Sequence, residues 1–360
     1  LIFVIFYLIL IIVSLKAEFK INSIENSFFY FRFGIFSLTT WFLINEKVNF
    51  IRNFTIIFLI TFLLALFDGY FQYFYNSNLF GYTGVGTRLT ILFNDKLILG
   101  GYLVRLFPLL IALILLLNIK NYTKIFISIC LFLLVDILVY LTGERTAFSL
   151  ALVFSIFIIF FTSNYKLLRL LTLIISLTII YAITLSDNRV MQRNVEHTLQ
   201  QTNIKGLLSS GNFEDLVFFS PQHHSHIVTA YKMFLDKPLF GHGVNSFRIK
   251  CKNKKYELNE LSCSTHPHHT YSQLLSETGI IGTIPIFLVI LFLFIRIIKH
   301  TFISKNNQQF RMKDYQIFLI SAFVITLWPL APSQNFFNNW INIIYYLPLG
   351  FYLNSIYSNE

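Results

Sequence analysis

THPHHTYSQLLSETGIIGTIPIFLVILFLFIRII, residues 265–298, runs a histidine-rich polar stretch straight into an apolar one. From Ser276 to Ile298 only Glu277 and Arg296 carry charge. Crossing ~30 Å of hydrocarbon takes ~20 such residues, and a helix is the form in which one segment satisfies its own backbone in lipid. A membrane helix over 276–298 is the expectation, with His266, Pro267, His268 and His269 at its water-facing entrance. Histidine moves protons near neutral pH more readily than any other side chain, so this entrance is the first candidate for chemistry.

Outward from it, comparable runs lie near 1–15, 27–44, 54–67, 101–118, 125–141, 146–162, 167–185, 316–331 and 341–357. The chain has 360 residues, 55% hydrophobic and 12% charged, with 42 Phe. Soluble domains average about 25% charged residues. The fold class is therefore an all-α polytopic membrane protein with about ten or more transmembrane helices. The apolar start at Leu1 has no basic region or small-residue cleavage site, so a first or truncated span is expected there rather than a signal peptide.

The net charge of +11 is assigned to basic cytoplasmic loops and not to nucleic-acid binding. Lys47 with Arg52, Lys120 with Lys124, Lys166 with Arg169, and Lys299, Lys305, Arg311 and Lys313 occupy alternate loops. The intervening loops then face outward: 68–100, the turn at Thr142 to Arg145, the long segment 186–275, and 332–340. The expected domains are an N-terminal bundle over 1–185 with outer loop 68–100, a large outer loop or lid over 186–275, and C-terminal helices over 276–360. Asp136 is the one acidic residue deep in an apolar run.

Cys130 reads as a core residue, whereas Cys251 and Cys263 share the outer segment, where an oxidising compartment favours a disulfide. Closing that short loop is worth about 3 kcal/mol on the chain-entropy model. No CxxC or HxxxH spacing supports a metal site. His223, His224 and His226 form one cluster, His242 stands alone, and His266, His268 and His269 form the other. At a helix start the positive dipole end favours the neutral imidazole, the form a general base requires. Outward arginines have no topological reason to be there. Arg145 sits in a tight turn beside Glu144, and Arg88 and Arg248 are further candidates for binding a phosphate or pyrophosphate. Gly279 and Gly282 have the spacing of close helix packing. The run from Trp328 to Trp340 reads as an aromatic, proline-broken outer hairpin.

Taken together, these residues resemble a known family. His268, the polar position 269, Gly279 and Gly282 resemble the histidine motif of the bacterial O-antigen ligase and O-antigen polymerase superfamily. The run from Met233 to Gly243 with Phe247 and Arg248, the turn Gly143-Glu144-Arg145-Thr146-Ala147, and Arg88 with Gly100-Gly101-Tyr102 are similar to further parts of it. Position 269 departs from the family's usual Asn, Ser or Gln. Where many members have an arginine ahead of Met233, this chain has His223, His224 and His226.

The resemblance implies a C-type membrane glycosyltransferase with no cofactor, no metal and no nucleotide sugar. Its donor would be an undecaprenyl-pyrophosphate-linked glycan, and its acceptor lipid A-core or another glycan, on the periplasmic face of the bacterial inner membrane. His268 would be the catalytic base. Arg145, Arg88, Arg248, His266 and His269 would bind substrate or pyrophosphate. A transporter or flippase for a lipid-linked glycan is the alternative, and it would place charges inside its spans. A zinc hydrolase lacks an HExxH-like pair here.

Overall fold

The computed structural model describes residues 1–94, 96–201, 217, 219–303 and 310–357. Lys305, and residues 202–216 and 218 of the outer segment, lie outside the described residues. Each expected apolar run contains a helix, but 27–44 is broken at Phe29–Tyr30 and 316–331 is helical only to Thr326. In chain order these helices are α1 (Ile2–Lys16), α2 (Lys20–Phe28), α3 (Phe31–Glu46), α4 (Phe50–Tyr75), α5 (Leu99–Leu116), α6 (Asn121–Leu141), α7 (Arg145–Phe161) and α8 (Lys166–Ser186). Short helices α9 (Asn188–Met191) and α10 (His197–Gln201) flank a π turn at Gln192–Glu196. Then follow α11 (Pro221–Asp236), α12 (Phe247–Lys250), α13 (Thr270–Ile298), α14 (Asp314–Thr326) and α15 (Asn339–Tyr357).

Among the described residues, six helical segments are long and apolar enough to cross a membrane: Lys20–Glu46, Phe50–Tyr75, Leu99–Leu116, Asn121–Leu141, Lys166–Ser186 and Thr270–Ile303. Ile2–Lys16, Arg145–Phe161 and Asp314–Thr326 are apolar but shorter.

The chain divides into two compact units. The second, Thr40–Leu199 with Arg311–Trp328 and Phe351–Glu360, is built around α5, whose side chains from Leu99 to Ile114 are nearly all buried. Phe62, Phe107, Phe132, Phe154 and Phe318 interlock around it at centroid distances of 5.4–6.4 Å. These phenylalanines are core packing, whereas others such as Phe42, Phe67 and Phe160 are exposed.

Arg169 corrects the sequence expectation. It is no loop charge but a fully buried side chain on the first turn of α8, bonded to both carboxylate oxygens of Asp136 at 2.7 and 2.8 Å. The reason is helical facing: the residue lies near the end of its span but points inward. Asp136 also has acidic company. The helix α4 runs past the expected 67 to Tyr75, so Asp68 is buried within it, where it accepts the Leu79 N–H at 2.8 Å.

The first unit comprises Leu1–Thr39, Gln200–Phe310 and Pro329–Gly350. Its central helix, α13, is broken. Gly279 adopts φ +66°, ψ −170°, and the segment Pro238–Gly243 straps across the gap. A break at Gly279 removes the helical bonds from Ile280 and Ile281 to Ser276 and Glu277. The strap replaces them: Ile280 and Ile281 N–H donate to the Pro238 and Leu239 carbonyls at 2.8 and 3.2 Å. His242 and Gly243 N–H donate to the Ser276 and Glu277 carbonyls at 3.1 and 2.8 Å. These four groups freed by the break are thereby satisfied.

A Cβ at position 279 would lie 2.3 Å from the Leu239 carbonyl oxygen, and one at Gly241 2.4 Å from the Glu277 carbonyl carbon. Gly279 therefore serves backbone-to-backbone contact with a strap, not the helix–helix packing its spacing suggests.

Candidate functional site

The strap and the break fix the neighbourhood of the histidines. Beyond the strap, the Glu277 carboxylate accepts the N–H groups of Asn245 (2.9 Å) and Phe247 (3.0 Å), which pins the start of α12 and so the base of Arg248. Cys251, at the end of α12, is disulfide-bonded to Cys263 with a Cα–Cα distance of 5.1 Å. The chain then passes through Ser264 and Thr265 into His266.

His268 stands at the centre of an imidazole cluster. Its ring centroid lies 4.0 Å from that of His266, 5.3 Å from His226 and 5.4 Å from His223. The two histidine groups of the sequence thus form one site, with α11 contributing His223 and His226. The His268 backbone is left-handed, φ +53°, and its carbonyl accepts the Ser333 N–H at 2.9 Å. A non-glycine residue held there by its surroundings is a frequent feature of functional sites.

Burial pushes His268 down to about 3, and the three neighbouring imidazoles would add repulsion to any charge it took up. His266 is pushed to about 4 by burial first, with His226, Arg248 and His223 acting in the same direction. Burial and crowding, not a helix dipole, are what disfavour the charged form of His266 and His268. Both ring nitrogens of His226 are buried without a well-formed hydrogen bond, the nearest acceptors being the carbonyls of Leu261 and Cys263. Arg248 is exposed, close enough for its charge to be felt at His266. Among the described residues no three His, Cys, Asp or Glu side chains are arranged to hold a metal.

His269 does something else. Its Nδ1 accepts the Ser272 N–H at 3.3 Å as the N-cap of α13, and its Nε2 reaches the Pro329 carbonyl at 2.9 Å. Both nitrogens are therefore occupied by structure. The family pattern at this position makes physical sense on those terms, since Asn and Ser are preferred N-caps. Here an imidazole nitrogen does the same work.

In the second unit, Glu144 does not pair with Arg145. Its carboxylate accepts the Gly100 and Gly101 N–H groups at 2.7 and 3.0 Å, capping the start of α5. Burial raises it to about 7, against those two bonds and the charges of Arg105 and Arg88. Arg145 donates to Thr198 at 3.2 Å. Gly143, at φ +70°, leaves room for two more guanidinium side chains: a Cβ there would meet the Cγ atoms of Arg193 and Arg88 at 3.1 and 3.3 Å.

Arg193 donates from Nε to the Gly143 carbonyl at 3.1 Å, and its Nη2 is buried without a partner. With Thr83, Gly84, Thr87, Arg88 and Arg189 it lines a cavity of ≈ 260 Å³. Three guanidinium groups around one cavity suit a phosphate-type anion. The sequence reading singled out Arg88 and Arg145 but passed over Arg193 and Arg189. The same outward-arginine rule, applied to 186–201, finds both.

Residues 128–287 match the family model described as O-antigen ligase. This stretch is similar to that family. The match takes in Arg145, Arg193, the α11 histidines, the strap, Arg248, the disulfide and the whole histidine motif. The apolar helices among the described residues agree with a multi-pass membrane protein. No curated protein sequence matches the chain.

Proposed function

We propose that this protein acts like the O-antigen ligase family it resembles over residues 128–287 and transfers a glycan from an undecaprenyl-pyrophosphate carrier to a sugar hydroxyl, at the periplasmic face of a bacterial inner membrane. The acceptor is lipid A-core or a further glycan unit. Transfer asks two things of the protein: a group to take the acceptor's proton, and positive charge for the pyrophosphate as it leaves. Each is supported in one of the two units.

The observation that carries the proposal is His268, a neutral imidazole held in a left-handed backbone inside the matched domain. As base it removes the hydroxyl proton while the oxygen bonds to the donor's anomeric carbon and the bond from that carbon to pyrophosphate breaks. Its low value in the free protein is suited to correction by substrate, because an anion beside the ring raises the imidazole's proton affinity. Exposed Arg248 could share that anion. In the second unit, Arg88, Arg145 and Arg193 offer the fixed positive charge that a departing pyrophosphate needs.

The test is transfer in vitro by the full chain in lipid nanodiscs, from a lipid-pyrophosphate-linked glycan to purified acceptor. Wild-type protein is expected to form product. His268→Ala at unchanged melting temperature is expected to lose it, and full activity in that variant would sink the assignment. Lipopolysaccharide banding of a deletion strain then divides the two acceptor types. Lipid-linked polymer without a ladder indicates a ligase, and core bearing a single repeat indicates a polymerase.

A further inference from the structure

The structure assigns Ser264 as the residue that positions His268, with the Cys251–Cys263 disulfide keeping the serine in register. The inference rests on His268 as the base. Ser264 Oγ lies 3.1 Å from His268 Nε2. The rings of His223, His226 and His266 pack around it and restrict its plane but not which nitrogen carries the proton.

That choice decides whether the ring can act. When Nε2 carries the hydrogen and donates it to Ser264 Oγ, the lone pair sits on Nδ1. There it takes the acceptor's proton: the hydroxyl O–H bond breaks and an N–H bond forms. The ring then carries positive charge, and the Nε2–H···O bond to Ser264 becomes charge-assisted and stronger. A contact that strengthens as the transition state forms acts on kcat rather than on substrate binding.

Ser264 is itself held from behind. It follows Cys263 directly, and its carbonyl faces Cys251 Sγ at 4.0 Å. Cys251 is buried in a small core with Ala230, Met233, Phe247 and Tyr256. Within the closed loop, the Ser262 hydroxyl accepts the N–H groups of Leu258 and Asn259 at 2.8 and 2.9 Å. The disulfide therefore anchors the residue beside Ser264 to a rigid part of the unit, and the same short helix carries Arg248.

Full-length protein in nanodiscs, assayed with the lipid-pyrophosphate donor, provides the test. Ser264→Ala should lower kcat about tenfold or more, the scale of a misoriented catalytic group. KM for the donor and the melting temperature should stay at wild-type values. Ser264→Thr, which keeps the hydroxyl, should restore kcat. The double substitution Cys251→Ser with Cys263→Ser should lower kcat as well, and combining it with Ser264→Ala should cost much less than the product of the separate losses.

Unchanged kcat in Ser264→Ala, beside an inactive His268→Ala, would overturn the positioning role alone. Full activity in His268→Ala would overturn both the base and its positioning. A Ser264→Ala loss confined to KM or to melting temperature, or one that Ser264→Thr fails to restore, would mark the serine as structural and also overturn the inference.

Discussion

The imidazole cluster of the first unit and the arginine turn of the second both take basic side chains out of water, with opposite results. An imidazole can give up its proton. Four of them crowd together, and burial lowers the proton affinity of three: His226, His266 (to about 4) and His268 (to about 3). A guanidinium cannot do this. Arg88, at the cavity, and Arg145 stay half-exposed, and Arg193 leans on the Gly143 carbonyl while its Nη2 is left unpaired. Where a guanidinium is fully buried, at Arg169, its Nη1 and Nη2 are bonded to the two carboxylate oxygens of Asp136. Burial thus makes a proton acceptor of one residue type and leaves a permanent charge on the other. A transferase that needs a base and an anion site can draw on both outcomes.

The sharpest way to break this contrast lies within the cluster. His268→Ala should reduce transfer by about 10²–10⁴-fold, the usual cost of a lost general base. Its neighbour His269→Ala should behave differently, because both ring nitrogens are engaged in capping and in holding Pro329. It should cost about 1 kcal/mol of stability, as a lost N-cap does, with a smaller loss of rate. His266→Ala should also be milder than His268→Ala. Rates at matched melting temperatures separate the three, and an inactive His269→Ala of normal stability would mean the base was misassigned.

How much of this could be read from sequence depended on what each pattern reports. Hydropathy reports compatibility with lipid, so every apolar run contains a helix, although among the described residues only six helical segments are long and apolar enough to cross a membrane. It does not report facing, so Arg169 read as a loop charge. Spacing of small residues signals close approach without naming the partner, and Gly279 meets a strap some forty residues earlier instead of a helix. The histidines were legible as a site, but their union with His223 and His226 is a long-range contact that no local pattern contains. Arg193 was within reach, because the rule that selected Arg145 applies to it equally.

In the second unit the expected effects are smaller and fall on charge geometry. Arg145→Lys keeps the charge but loses the planar fork, and Arg193→Ala removes the unpaired donor. Each should reduce kcat/KM for the donor about tenfold to a hundredfold, the scale of a charged hydrogen bond. Near-native kinetics in both variants would reduce the turn to a structural role. The first unit should show the complementary behaviour in pH profiles. With His268 held near 3, the acid limb of kcat/KM, which reports the free enzyme, should stay flat from neutral pH to about pH 5. The limb of kcat should lie higher, because bound pyrophosphate favours the protonated ring. Coincident limbs near 6.5, the ordinary histidine value, would show that the cluster is not desolvated in the membrane.

The smallest effect is one of stability, and its sign distinguishes the two regions. His266 and His268 sit below the ordinary 6.5 in the folded protein. As pH falls through 6.5 toward 4, the unfolded chain takes up protons that the folded chain refuses, so stability falls on acidification. Glu144 works the other way. Its folded value of about 7 lies above the ordinary 4.5. Between those limits the folded state holds a proton the unfolded state has released, so this carboxyl's contribution is lost as pH rises. Glu144→Gln removes the second contribution and leaves the first, and its melting temperature should climb more steeply between pH 5 and pH 7 than that of wild type. Replacing His266 with Phe should flatten the same curve, because the refused proton is gone. Each change should amount to a few degrees at most, on the scale of ~1 kcal/mol. Slopes that shift in the same direction in both variants would mean that burial acts alike on the two groups, and the contrast between the regions would fail.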